Sequence, residues 1–96
     1  MNSKEKALLC AGVACDKQAL DLVVLEVKDI SSFADYFIIC SGTSTRQVQA
    51  IAEHLEVSLK EKGIRVLGKE GMQGGRWVLL DYADVIIHVF HTEERE

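Results

Sequence analysis

A short run of small polar residues in this chain could bind an anion. It follows an apolar, β-branched segment and precedes a segment of helical periodicity, and it consists of Ser41, Gly42, Thr43 and Ser44. At a strand-to-helix junction of this kind, backbone N–H groups and the helix dipole can hold a phosphate or carboxylate. The three-residue spacing of Ser44 and Gln47 equally fits a capping box. The pattern therefore predicts either an anion or recognition loop or a plain helix cap.

A downstream pair of carboxylates raises the possibility of phosphoryl transfer. In nucleotidyltransferases, a Gly-Ser turn is followed by strand carboxylates that bind two metal ions. The candidates here are Asp81 and Asp84, which stand three residues apart, whereas two carboxylates on one strand face need a spacing of two. The spacing argues against a metal centre, and a small nucleotidyltransferase-like or phosphate-binding enzyme remains the alternative hypothesis.

The histidines and cysteines do not predict a metal or cofactor site. His88 and His91 lie three apart in a predicted strand and so point to opposite faces, with no ligand completing a tetrahedral set. We expect His88 to be a half-buried imidazole with local hydrogen bonds. The three cysteines, an odd number, are expected to be reduced thiols, buried or half-buried, as in a reducing cytosol: Cys10, Cys15 and Cys40.

The segment 77–82 has the composition of a protein interface. Its alternation places Trp77, Leu79 and Asp81 on one strand face and Val78, Leu80 and Tyr82 on the other. One face must pack in the core. The other would present a large side chain beside aliphatic and acidic groups, a combination typical of interface anchors. Packing of Trp77 in the core remains the alternative.

Periodicity and glycine positions predict the elements that would position these residues. We expect helices over 4–18 and from Ser44 to a left-handed glycine cap at Gly63, and strands over 20–27, 35–40, 64–69, 76–82 and 85–91. The nearly continuous apolar run at 35–40 predicts a strand covered on both faces. This order predicts an α/β fold in which a mixed five-stranded sheet packs with helices.

Length and composition bound the class of protein. The chain has 96 residues, 48% hydrophobic and 27% charged, which predicts a single folded domain over 1–96. Neither a signal peptide nor a stretch of the ~20 apolar residues that a membrane span needs is apparent. We therefore expect a soluble, cytoplasmic protein.

The charge is acidic and unevenly distributed. The net charge is -4, opposite in sign to what phosphate neutralisation requires, so direct nucleic-acid binding is not expected. Residues 1–80 hold ten acidic and ten basic residues, and the excess lies wholly in 81–96. This distribution favours a basic protein partner at that end of the molecule.

Two long motifs resemble the ribosomal silencing factor family, also called Iojap-like. They are ADYFIICSGTS at 34–44, continuing through Arg46, Gln47 and Val48, and WVLLDYADVIIHVF at 77–90. The resemblance implies a nucleotidyltransferase-like topology without catalytic carboxylates. It also implies a non-enzymatic factor that binds the large ribosomal subunit through ribosomal protein L fourteen, blocks joining of the small subunit and lowers translation under nutrient limitation.

The family pattern, transferred position by position, suggests where a partner would bind. We predict contacts in the 77–84 segment and the strand after it, at Trp77, Leu79, Asp81, Tyr82, Asp84 and His88. The chain departs from the pattern at Ala83, where the family usually has Gly, and at Thr92, where it usually has Pro. An exposed edge strand would also allow a homodimer.

Overall fold

The part of the chain that the structure describes forms two α-helices and five β-strands. The computed structural model describes residues 1–94, and its elements are α1 Ser3–Cys15, β1 Leu20–Glu26, β2 Tyr36–Gly42, α2 Thr45–Glu61, β3 Gly68–Glu70, β4 Trp77–Asp81, β5 Val85–His91 and a 3₁₀ turn at Thr92–Glu94. Among these residues no helix has the length and apolar character needed to cross a membrane.

The strands form a single mixed sheet in the order β1-β2-β5-β4-β3. The two central strands, β2 and β5, run parallel, and every other neighbouring pair is antiparallel. The parallel pair is connected through α2 and the β3–β4 hairpin, as a parallel pair requires a crossover. The predicted α/β fold with a mixed five-stranded sheet is confirmed.

Both helices pack on the same face of the sheet. The apolar stripe of α2 is fully buried there, at Val48, Ile51, Ala52, Leu55 and Leu59. Alternate residues of the central strands, including Ile38 and Ile87, complete this core. The prediction that 35–40 is covered on both faces is wrong: Phe37 and Ile39 are only half-buried, because no helix lies over their side of the sheet.

The capping signals at α2 are confirmed. The Ser44 hydroxyl accepts a hydrogen bond from the Gln47 backbone N–H at 3.0 Å, and Gly63 takes the left-handed conformation, with φ +81. The Ile64 N–H then bonds to the Leu59 carbonyl at the helix end. Since the chain is still closing the helix at this point, β3 begins only at Gly68 and is shorter than the predicted 64–69 strand.

The β4–β5 turn contains a strained residue. Ala83 has φ +71, a region that favours glycine because a Cβ is crowded there. The Asp81 carboxylate accepts a hydrogen bond from the Ala83 N–H at 2.8 Å and helps to hold the turn. Glycine, which the resembled family usually has at this position, would adopt this backbone conformation without that strain.

The cysteines differ in their exposure. Cys10 and Cys40 are buried among the core residues, as predicted, but Cys15 is exposed. The prediction for Cys15 is wrong because, at ~100° per residue, its side chain lies off the stripe of α1 that is buried at Ala7, Cys10 and Ala14.

Candidate interaction surface

The sheet face opposite the helices is apolar and uncovered, and we call it the open face. Strand register places its side chains in three rows, consisting of Leu25, Phe37, Ile86 and Asp81, then Val23, Ile39, His88, Leu79 and Glu70, and then Phe90 and Trp77. All of them are half-buried or exposed. Contiguous exposed apolar patches are typical of interaction sites.

An aromatic cluster lies on the open face and extends to its end row, where Trp77 is paired with Phe90. Trp77 stacks on Phe90 with ring centroids 5.2 Å apart and an interplanar angle of 22°. His88 stacks on Phe90 at 6.1 Å and meets Phe37 edge-on at 5.4 Å. Trp77 nevertheless remains 52% exposed, so it is not a core residue. The predicted sharing of one face by Trp77, Leu79 and Asp81 is confirmed by the strand register.

His88 orients the indole of Trp77. The Trp77 Nε1–H donates a hydrogen bond to His88 Nδ1 at 3.3 Å, which requires that nitrogen to be unprotonated. Burial lowers the pKa of His88, so the imidazole stays neutral at physiological pH and keeps its acceptor. The predicted half-buried, locally hydrogen-bonded His88 is confirmed.

The two predicted carboxylates have separate environments. Asp81 lies half-buried on the open face and binds the Ala83 N–H. Asp84 instead forms an ion pair with Lys6 of α1 at 2.6 Å. The Lys6 ammonium also donates to the Tyr82 carbonyl at 3.3 Å. Asp84 therefore ties the first helix to the β4–β5 turn, a structural contact that the sequence did not predict.

Tyr82 does not belong to the open face. Its side chain is only 2% exposed and packs in the core beneath the helices. The prediction that its side chain contacts a partner is therefore wrong, because the alternation that exposes Trp77 also buries Tyr82. Its hydroxyl is buried and has no hydrogen-bond partner within residues 1–94.

Replacing Tyr82 by phenylalanine is expected to stabilise the protein by about 1 kcal/mol, because a buried hydroxyl without a partner has lost its hydration and gained no hydrogen bond in exchange. Urea unfolding of both proteins measures the difference. A loss of stability in Tyr82→Phe would show that the hydroxyl is hydrogen-bonded in solution.

The 41–44 loop is organised as a helix cap. The Gln47 side-chain oxygen accepts hydrogen bonds from the Thr43 N–H at 2.6 Å and from the Thr43 hydroxyl at 2.9 Å. A Cβ at Gly42 would lie 3.0 Å from the Val48 nitrogen, so the chain and helix pack closely here. Because Gln47 and Ser44 already occupy donors at this helix start, the arrangement favours the cap interpretation over anion binding.

The loop and the carboxylates lie at opposite ends of the sheet. In the parallel β2–β5 pair, Tyr36 lies beside Val85 at one end and Gly42 beside His91 at the other. At about 3.3 Å per residue, the separation along the strands is about 20 Å. A two-metal site formed by the 41–44 loop with Asp81 and Asp84 is therefore not assembled. Within the described residues, no three His, Cys, Asp or Glu side chains are grouped to hold a metal ion.

A groove lies at the β3–β4 edge of the open face. It is lined by Glu70, Gly71, Trp77 and Leu79 and has a volume of about 230 Å³. Glu70 is not among the predicted site residues, and it enters the site only through the pairing of β3 with β4, opposite Leu79. A three-residue strand carries no periodic signal from which that register could have been predicted.

Much of the acidic charge near the C-terminus is neutralised by internal ion pairs. The Arg76 guanidinium binds Glu94 at 2.7 Å and Glu93 at 3.1 Å, and it lowers the pKa of Glu93. Lys6 and Asp84 form a further pair, whereas Asp81 and Glu70, both on the open face, form no ion pair within residues 1–94. The remaining charges of the predicted acidic segment, Arg95 and Glu96, lie outside the described residues.

The fold and the open face together define a class of protein. Small α/β proteins with an exposed aromatic sheet face typically bind another macromolecule. The whole chain, residues 1–96, matches the family described as "Ribosomal silencing factor during starvation". The chain belongs to the ribosomal silencing factor family.

Individual relatives support this assignment. The chain is 46% identical over 95 residues to the ribosomal silencing factor RsfS of Bacillus subtilis, covering 99% of this chain and 80% of the relative. It is 35% identical over 89 residues to the chloroplastic protein Iojap of Arabidopsis thaliana, of which it covers 37%. A crystal structure from Chromobacterium violaceum superposes with a TM-score of 0.92 at 35% identity, covering 95% of this chain and 76% of that one.

Proposed function

We propose that this protein silences translation by binding the large ribosomal subunit and obstructing its joining with the small subunit when nutrients are short. The proposed contact on the subunit is ribosomal protein L fourteen. The observation that carries the proposal is the open face with the exposed side chain of Trp77 on it, in a chain of the ribosomal silencing factor family. The protein would act in the cytoplasm, as a single folded unit over 1–96.

The open face has the physical properties of a binding hot spot. Trp and Tyr contribute much contact area at little rotamer cost, and exposed anchors of this kind carry most of the energy of many interfaces. Here Phe90 and His88 hold the indole of Trp77 in place before binding, so little conformational entropy is lost on docking. The acidic groups Asp81 and Glu70 flank the cluster and would face basic side chains of a ribosomal protein.

Obstruction of subunit joining needs only bulk at the right place. The molecule measures 32 × 30 × 21 Å. A rigid body of this thickness, bound on the joining surface of one subunit, would hold the two subunits much farther apart than the distance at which their atoms contact each other. Silencing in this proposal is therefore steric and uses no chemical step.

The enzyme alternative has little support. The Gly-Ser turn and the candidate carboxylates lie at opposite ends of the sheet. The Thr43 N–H of the turn donates to the Gln47 side chain, and the Gln47 N–H of α2 donates to the Ser44 hydroxyl. Asp84 is held by Lys6. Because the turn lies far from the carboxylates and Asp84 is paired, we propose a non-enzymatic role without a cofactor.

A homodimer would compete with ribosome binding. β1 is an edge strand whose Val23 and Leu25 are about 40% exposed and continue the open face. Exposed edges can pair with a second chain. We propose that any dimer uses this edge and covers part of the open face, so that only the monomer binds the ribosome.

Sedimentation with separated ribosomal subunits tests the proposed function. Using subunits from Bacillus subtilis, we expect the protein to co-sediment with the large subunit and not with the small one. Prior incubation with the large subunit should lower the fraction of joined ribosomes at fixed magnesium concentration, and free ribosomal protein L fourteen should compete. Absence of co-sedimentation at low salt, or unchanged joining at saturation, would contradict the proposal.

A further inference from the structure

We propose that the groove beside Trp77 binds one cationic side chain of the protein partner, held between the indole and the Glu70 carboxylate. The inference rests on the proposed function, since it names the chemistry by which the open face would recognise a basic ribosomal protein. It adds Glu70 to the predicted contact residues Trp77 and Leu79 and assigns a ligand to the groove that they line.

The groove offers one side of the indole to a ligand. Trp77 lies on β4, with Phe90 of β5 stacked on one flank at 5.2 Å. The groove lies on the other flank, toward β3, where Glu70 is paired opposite Leu79. A side chain entering there would meet the indole, the aliphatic Leu79 and a carboxylate together.

The local charge favours a cation. The Glu70 carboxylate has no hydrogen bond or ion pair among residues 1–94, whereas the basic residues beside the groove are already engaged. Lys69 binds Glu56 of α2 at 3.2 Å, on the helix side of the sheet, and Arg76 binds Glu93 and Glu94. Within residues 1–94, Glu70 is thus an acidic group without a neighbouring counterion at the mouth of an apolar groove.

The groove is formed before binding. Gly71 has φ +79, and a Cβ there would lie 1.9 Å from the Trp77 carbonyl oxygen, so the hairpin backbone is in close contact. From α2, the Gln49 amide donates to the carbonyls of Met72 at 3.0 Å and Gln73 at 3.1 Å. Since the loop is held from both sides, binding needs little reorganisation.

Size and chemistry point to a single Lys or Arg side chain. The volume of about 230 Å³ lies below the ~300–1,000 Å³ of small-molecule pockets. The indole would attract the cation through its π-face, Glu70 would supply a charge-assisted hydrogen bond, and Leu79 would cover the aliphatic stem.

Exchange of Glu70 for Gln tests the contact. We expect Glu70→Gln to weaken binding to Bacillus subtilis large subunits about tenfold at low salt, with most of the change in the dissociation rate. The matched control is Glu53→Gln, which removes the same charge from an exposed position on α2 and should leave the affinity within about twofold of the unmodified protein. Thermal melts establish that both variants are folded.

The possible outcomes separate this inference from the proposed function. If the unmodified protein fails to bind large subunits, the proposed function fails. If it binds and Glu70→Gln binds equally well at every salt concentration, the groove contact is overturned. A change confined to the association rate would also overturn it, because long-range attraction by a surface charge acts on association and a bound cation acts on dissociation.

Discussion

Replacing Trp77 by alanine is expected to weaken binding to the large ribosomal subunit by at least about thirtyfold, the effect of losing about 2 kcal/mol. Truncation removes the most exposed aromatic of the open face, which is 52% accessible although it stacks on Phe90. It also removes one wall of the groove with Glu70 and the donor to His88. Equilibrium binding to isolated large subunits, followed by sedimentation or biolayer interferometry, measures the loss.

A second exposed apolar residue supplies the control for this experiment. Val57 is 57% exposed on α2, on the layer that covers the other side of the sheet, so Val57→Ala removes apolar surface outside the proposed interface. We expect it to bind as the unmodified protein does. Equal affinity of Trp77→Ala and Val57→Ala would contradict an interface on the open face, provided that circular dichroism shows both variants to be folded.

The sequence predicted the elements with strong periodic signals. The stripe at Val48, Ile51, Leu55 and Leu59 predicted α2, and β5 has the expected bounds, 85–91. Elements with weak local signals were misplaced. β3 is only three residues long and is stabilised by pairing with β4, a long-range interaction that local propensity does not encode.

The alternation of the site residues was predictable from the sequence, but the face of the strand that is exposed was not. Alternation separated Trp77, Leu79 and Asp81 from the intervening residues, but it could not say which set faces the helices. That choice depends on both helices packing on one layer, which buries Tyr82 and exposes Trp77. The family pattern covered both faces alike, because residues needed for packing and residues needed for binding recur together in a motif.

The distribution of charge on the surface also depends on long-range contacts. The acidic excess lies within 81–96 of the sequence, but the fold brings Lys6 to Asp84 and Arg76 to Glu93 and Glu94. Lys6 is 78 residues from Asp84 in the sequence, and Arg76 is 17 residues from Glu93. Asp81 and Glu70 lie on the open face without an ion pair within residues 1–94, and Glu70 lies outside the segment that holds the acidic excess.

Gly71→Ala is expected to be the most destabilising single methyl addition among the glycines described. The added Cβ would lie 1.9 Å from the Trp77 carbonyl oxygen, a backbone atom that cannot rotate away, at a residue with φ +79. Relief of the overlap requires β3 and β4 to separate, so we expect a loss of at least about 3 kcal/mol. For a chain of this size that corresponds to a fall in Tm of roughly 12 °C or more, measurable by circular dichroism.

Gly12→Ala is the matched control, because it adds the same methyl group where nothing lies within 4 Å. Gly12 is exposed in the interior of α1, where alanine is favoured over glycine by about 0.5–1 kcal/mol, so this variant should melt a few degrees higher. Opposite signs for one chemical change would show that backbone contact, not the loss of glycine itself, determines the effect at Gly71. If Gly71→Ala melted within about 2 °C of the unmodified protein, the close hairpin contact that shapes the Trp77 groove would be contradicted, and the preformed groove with it.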